Sequence, residues 1–195
     1  LVPELAKTAT SVTMLQRSPT YIAAMPKVDR LALALRKVLP ESVAYRVIRT
    51  KNIKFQQFIY GLSQKRPEWI KRQLLKRARE ALGPNVDVEA HFSPSYNPWV
   101  QRLCVAPDGD FFKAIKSGKA QVVTETIRSI TPDGVALNSG QHLDADIIIT
   151  ATGLKLNILG DVAFSVDGTS INVGETYVYK GLAYADVPNL CTVFG

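Results

Sequence analysis

Apolar positions along this chain switch between helical and strand spacing, and each switch marks an element boundary. Leu1, Val2 and Leu5 share one helical face, and Ser11–Gln16 then reads as a strand that closes on Arg17-Ser18-Pro19. From about Val28 to Leu82 the spacing is helical. Leu31, Leu35, Val38 and Leu39 form one stretch ended by Pro40, and Ile48, Phe55, Ile59 and Leu62 form a second. Ile70, Leu74, Leu75, Ala78 and Leu82 form a third, stopped by Gly83-Pro84. The pattern predicts two or three helices inserted into a strand-bearing domain.

Strand spacing returns afterwards. Asp110 to Gly118 begins with an acidic cap, gathers lysines toward its end and closes on glycine, which predicts a short helix. Gln121–Glu125, Ile127–Ile130 and Val135–Leu137 read as short strands with turns at Pro132-Asp133-Gly134 and Ser139-Gly140. The run Asp146-Ile147-Ile148-Ile149-Thr150 does not alternate, which predicts a central strand covered on both faces, as in a parallel sheet between helices. It ends on Ala151-Thr152-Gly153. Small residues at the carboxyl end of such a strand allow a ligand to approach closely.

Composition narrows the classes. An apolar fraction of 46% over 195 residues is globular, and 24 basic against 17 acidic residues favour an anionic ligand or surface. The charge is concentrated: between Tyr45 and Glu80 eleven basic residues face only Glu68 and Glu80, a local +9. A solvated face is the plainer reading, because the basic positions fall on several sides of the helices, and a peripheral membrane contact through them is the other. Nucleic acid is not expected as a partner. No apolar run is long enough to span a bilayer, so a cytoplasmic protein is expected. Cys104 and Cys191 sit in no CxxC pair and read as reduced thiols; His91 and His142 stand alone, and no metal site is expected.

The pattern also predicts a chain that enters in mid-fold. None of the 12 glycines forms a GxG pair, so the phosphate-cradling loop and the strand before it are expected upstream of Leu1. Ser11–Gln16 would then be the second strand of a dinucleotide-binding fold. At the end of that strand an acidic residue would bind a ribose diol, whereas Arg17 suits the added 2′-phosphate of NADP. The order of helix, strand, antiparallel meander and Ala-Thr-Gly strand resembles the second half of a nucleotide-binding domain in flavoproteins with one domain for FAD and one for NAD(P)H.

The segment Phe92-Ser93-Pro94-Ser95-Tyr96-Asn97-Pro98-Trp99-Val100-Gln101-Arg102-Leu103-Cys104 makes the resemblance closer. Its aromatics and prolines define a stiff loop in which Arg102 is the only charge, and a charge in such surroundings calls for an anionic partner. With Leu15–Ala23 and Ile147–Leu154, it resembles the class B flavin-dependent monooxygenases, nearest the Baeyer–Villiger group and the ethionamide-activating monooxygenases. The likeness covers nearly the whole chain.

The resemblance implies an FAD/NAD(P)-binding α/β fold with a parallel sheet, a small meander and a helical insertion. It makes residues 1–153 an NADP-binding domain lacking its first strand and glycine loop, with the insertion at about 28–95. Residues 154–195 become a segment returning to the FAD-binding domain and ending on a strand. It implies FAD and NADPH as cofactors, O2 and a ketone, thioether or thioamide-like small molecule as substrates, and oxygen transfer through a C4a-peroxyflavin. Arg102 matches the family's active-site arginine, and Arg17, Ser18, Gln101, Ala151, Thr152 and Gly153 are the implied cofactor contacts. Many relatives have Lys where this chain has Gln101, and closer ones Asp where it has Val100. A pyridine-nucleotide flavoprotein reductase would share the meander and the Ala-Thr-Gly strand without needing the helical insertion. A basic binding module would account only for the charged helices.

Overall fold

The computed structural model describes residues 1–155, 159–160 and 162–193, in two compact units, Leu1–Ile148 and Ile149–Gly195. The first unit is mixed α/β. A single turn α1 (Val2–Leu5) precedes β1 (Val12–Gln16) and β2 (Tyr21–Met25). Four helices follow: α2 (Arg30–Val38), α3 (Glu41–Lys65), α4 (Pro67–Leu82) and α5 (Val88–Phe92). Then come β3 (Leu103–Pro107), α6 (Asp110–Lys116), β4 (Ala120–Thr124) and the meander β5 (Ile127–Thr131), β6 (Gly134–Leu137) and β7 (His142–Asp144).

Two parallel pairs organise this unit. β1 pairs with β4, Val12 opposite Ala120 through Gln16 opposite Thr124, and β2 pairs with β3, Tyr21 opposite Leu103 through Met25 opposite Pro107. Parallel pairing needs long crossovers, and the helices α2 to α5 lie within the one that joins β2 to β3. The insertion therefore leaves and re-enters the chain at neighbouring strands.

Local chemistry sets the helix ends. Asp29 and Asp87 cap α2 and α5 by accepting from the Ala32 and Ala90 amides, each at 3.0 Å. Pro67 opens α4, where its missing N–H costs nothing, and Gly83 at φ +82° follows its last turn. The core gathers Leu75, Ala78 and Leu82 of α4, Val88 and Phe92 of α5, Phe111, Phe112 and Ile115 of α6, and Ala120 and Val122 of β4. Phe92 meets Phe111 and Phe112 edge to face, with centroids 6.3 and 6.0 Å away. The meander closes tightly at Gly134, where a Cβ would collide with the Leu143 carbonyl oxygen.

Several expectations need correction. The isoleucine run is not a buried strand: residues 147–150 join no ladder, and Ile147 is 80% exposed, with Ile148 and Ile149 exposed beside it. Such a run is stable as a strand only with neighbours on its edges and cover on both faces, and no strand among the described residues pairs with it. The cap of α6 is Gly109, at φ +65°, and the Asp110 carboxylate instead accepts from the Phe111 amide at 2.7 Å. The apolar spacing of the first two inserted helices does define helices, yet Leu31, Val38, Phe55 and Phe58 stay exposed.

The second unit holds two small antiparallel pairs. β8 (Phe164–Val166) and β9 (Thr169–Ile171) turn at Asp167-Gly168, both at positive φ as a two-residue hairpin requires. β10 (Val178–Tyr179) pairs with β11 (Ala183–Tyr184) around Lys180-Gly181. The strand expected at the chain's end is represented only by an isolated bridge from Cys191 to Ala183, and residues 194–195 lie outside the described residues.

Candidate functional site

The carboxyl ends of β1 and β4 are where a ligand would meet a parallel pair, and the implied cofactor contacts Arg17 and Ser18 begin there. Both are exposed. Arg17 takes part in no ion pair among the described residues, which leaves its guanidinium free for an anion. The chain then crosses Pro19 and the buried Thr20 to enter β2.

Thr20 is also where the aromatic loop attaches. Its hydroxyl lies 3.0 Å from the Tyr96 hydroxyl and 3.4 Å from the Arg102 carbonyl oxygen, and the Tyr96 hydroxyl donates to that same carbonyl at 3.0 Å. The Tyr21 hydroxyl donates to the Tyr96 carbonyl at 2.8 Å, with the two rings edge to face at 5.6 Å. Lys71 of α4 donates to the Pro94 carbonyl at 3.4 Å, and Pro94 and Pro98 are fully buried. The loop is thus fastened to the β1–β2 connection and to the insertion before it delivers Arg102 to the start of β3.

Burial, then the negative charge of Glu68 and the neighbouring Tyr96, push the Tyr21 phenol up to about 12, so it remains a protonated donor. One residue of the loop is strained. The Val100 amide donates to the Asn97 carbonyl at 3.1 Å across a turn in which Trp99 adopts φ +70°. That position of a Pro-containing turn normally carries glycine or asparagine.

Arg17 and Arg102 are therefore joined by a short, fixed path: the Arg102 carbonyl rests on Thr20, three residues beyond Arg17. Gln101 and Arg102 are both exposed, and Arg102 too is in no ion pair among the described residues. Ala151, Thr152 and Gly153 belong to the second unit, where they are exposed and Gly153 takes φ +97°. The donor set of Arg17 and Ser18 suits a phosphate, so an NADP-type nucleotide fits the residues present. No cluster of metal-binding side chains occurs among the described residues.

Sequence reasoning missed one group. Gln16, His91 and Thr124 share hydrogen bonds at the end of the parallel pair, although His91 reads as isolated in the sequence. Its signal lay in the matched strand ends, visible only once the register is known.

No family model matches the chain. Curated proteins match it over its full length. It is 49% identical to the probable FAD-binding monooxygenase AlmA of Acinetobacter baylyi, covering 39% of that protein. It is 46% identical to the FAD-containing monooxygenase EthA of Mycobacterium tuberculosis, covering 40%, and shares the same identity and coverage with EthA of Mycolicibacterium smegmatis. The chain spans about two fifths of the length of these relatives. The resemblance to flavin-dependent monooxygenases is borne out along all of it.

Proposed function

We propose that this relative of FAD-containing monooxygenases forms the NADPH-binding part of a flavin-dependent monooxygenase that transfers one oxygen atom from O2 to a small molecule. What carries the reading is one juxtaposition: within a chain similar throughout to such enzymes, Arg17 follows a parallel strand end, and Arg102 is fastened to the same connection.

In this reading residues 1–153 bind NADPH and residues 154–195 belong with the FAD-binding domain. Arg17 and Ser18 take the ribose 2′-phosphate, with Gln101 as a neutral second contact. The redox chemistry, acceptance of reducing equivalents and activation of O2, would be supplied by bound FAD. Arg102 then stabilises the negative charge that develops on the transferred oxygen and on the substrate it attacks. A guanidinium suits this because it stays charged at every working pH and costs no reorganisation when held in place. Thr20 and Tyr96 hold the backbone of Arg102, so its charge is delivered from a fixed base. The substrate is a ketone, converted to an ester in Baeyer–Villiger fashion, or a sulfur or nitrogen centre.

The test uses full-length protein loaded with FAD, supplied with NADPH, 18O2 and either a cyclic ketone or thioanisole. One 18O atom in the organic product supports the reading. NADPH oxidation with no label in any product would favour a flavoprotein reductase instead.

A further inference from the structure

The end of the parallel pair is closed by three polar side chains from three elements. Gln16 is the last residue of β1, Thr124 the last of β4, and His91 lies in the final turn of α5. The Gln16 side-chain amide donates to the His91 carbonyl oxygen at 2.7 Å and to the Thr124 hydroxyl at 2.9 Å. The His91 Nδ1 lies 2.8 Å from that same hydroxyl. Because a carbonyl oxygen can only accept, the atom of Gln16 facing it must be the nitrogen, and both its hydrogens are used. The Gln16 backbone is fixed as well, since its carbonyl accepts from the Glu125 amide at 2.9 Å.

Gln16 is therefore held by side chain and backbone, and Arg17 is the next residue. We propose that Thr124 and His91 are positioning residues: through Gln16 they fix the direction in which Arg17 and Ser18 leave β1, and so set the preference for a 2′-phosphorylated adenosine. The proposal rests on the reading of Arg17 and Ser18 as the 2′-phosphate contacts. Its physical basis is preorganisation. An exposed arginine that starts from a rigid residue loses less conformational freedom on meeting a phosphate than one on a loose strand end. His91 belongs to the helical insertion, so the network also makes the insertion a determinant of cofactor choice.

The experiment measures binding of 2′,5′-ADP and of 5′-AMP to full-length protein by calorimetry, alongside thermal melting. Thr124→Val removes the hydroxyl at nearly constant volume. It should weaken 2′,5′-ADP about five- to tenfold, as for loss of one or two hydrogen bonds, and leave 5′-AMP within about twofold. Thr124→Ser should restore the wild-type preference. His91→Ala keeps the backbone carbonyl that Gln16 needs, and should give a smaller loss in the same direction; it decides the matter should Thr124→Val fail to fold.

A purely structural network would lower the melting temperature and weaken both nucleotides alike, and that result overturns the proposal, as does wild-type binding by both variants. Arg17→Ala separates the two levels. If it weakens 2′,5′-ADP and Thr124→Val does not, only the positioning role fails. If Arg17→Ala is itself without effect, the phosphate contact is wrong and the positioning role falls with it.

Discussion

The Tyr96 hydroxyl donates to the carbonyl oxygen of Arg102 at 3.0 Å while also meeting the Thr20 hydroxyl at 3.0 Å. One phenol thus binds the loop that carries Arg102 to the connection that carries Arg17. Exposed arginines ordinarily lose much rotamer entropy when recruited, and here at least the backbone share of that cost is met by folding.

Arg102→Ala in the full-length protein is expected to cut oxygenated product about 100- to 1000-fold, the usual loss when one preorganised donor to a developing anion is removed. FAD content and NADPH oxidation should persist, with the electrons recovered as hydrogen peroxide. Product yield and peroxide would be quantified in the same reaction. Unchanged product would return the loop to a structural role.

Trp99 offers a test of whether strain in this loop is functional. Glycine at this left-handed position removes a steric cost of about 1–2 kcal/mol, although added unfolded-state entropy takes back part of it. Since Trp99 is 46% exposed, its replacement gives up little buried contact. Trp99→Gly should therefore melt at an equal or slightly higher temperature than wild type while oxygenation falls, the pattern of strain maintained at a working site. A lower melting temperature with normal oxygenation would assign Trp99 to packing.

Tyr21 predicts a pH effect whose sign follows from its environment. Its phenol is pushed up from 10.0 to about 12, chiefly by burial. Between these values the unfolded chain releases a proton that the folded chain retains. The contribution is therefore fully present below pH 10 and is lost as the pH rises through about 12. Tyr21→Phe should flatten the alkaline decline in melting temperature over that window, while losing the bond to the Tyr96 carbonyl at neutral pH. A decline identical to wild type would show that Tyr21 does not titrate out of register with the unfolded chain.

What could be seen in the sequence was whatever depended on near neighbours. β1, α6, β4 and the first two strands of the meander follow from spacing and turn residues within about ten positions, and α2 to α4 from apolar periodicity, whereas β7 carried no such signal. β2 and β3 escaped because Tyr21–Met25 and Leu103–Pro107 are short, and their pairing depends on contacts such as Thr20 to Arg102, 82 positions apart. The Gln16–Thr124 bond joins residues 108 apart, so no local pattern reveals it. The isoleucine run failed for the complementary reason: its sequence suits burial, but burial is supplied by neighbouring strands. Arg17 and Arg102 stand out as candidates because a charge at a strand end, or alone in an aromatic loop, is chemically conspicuous wherever the chain takes it.

Arg17 carries the prediction on cofactor choice. It is exposed, free of ion pairs among the described residues, and follows a residue fixed on both side chain and backbone. A charge-assisted hydrogen bond contributes about 1.5–3 kcal/mol, which corresponds to roughly one to two orders of magnitude in KM. Arg17→Ala in the full-length protein should raise the KM for NADPH by that factor and leave NADH almost unchanged, because NADH has no 2′-phosphate to lose. The turnover number at saturating NADPH should stay near wild type, since the contact is made equally before and during hydride transfer. Arg17→Lys separates charge from shape: a point charge keeps part of the affinity but cannot form the forked contact, and an intermediate KM is expected. Equal losses with NADPH and NADH would mean that Arg17 supports the strand end and not the phosphate, and the dinucleotide would then have to approach the parallel pair by another route.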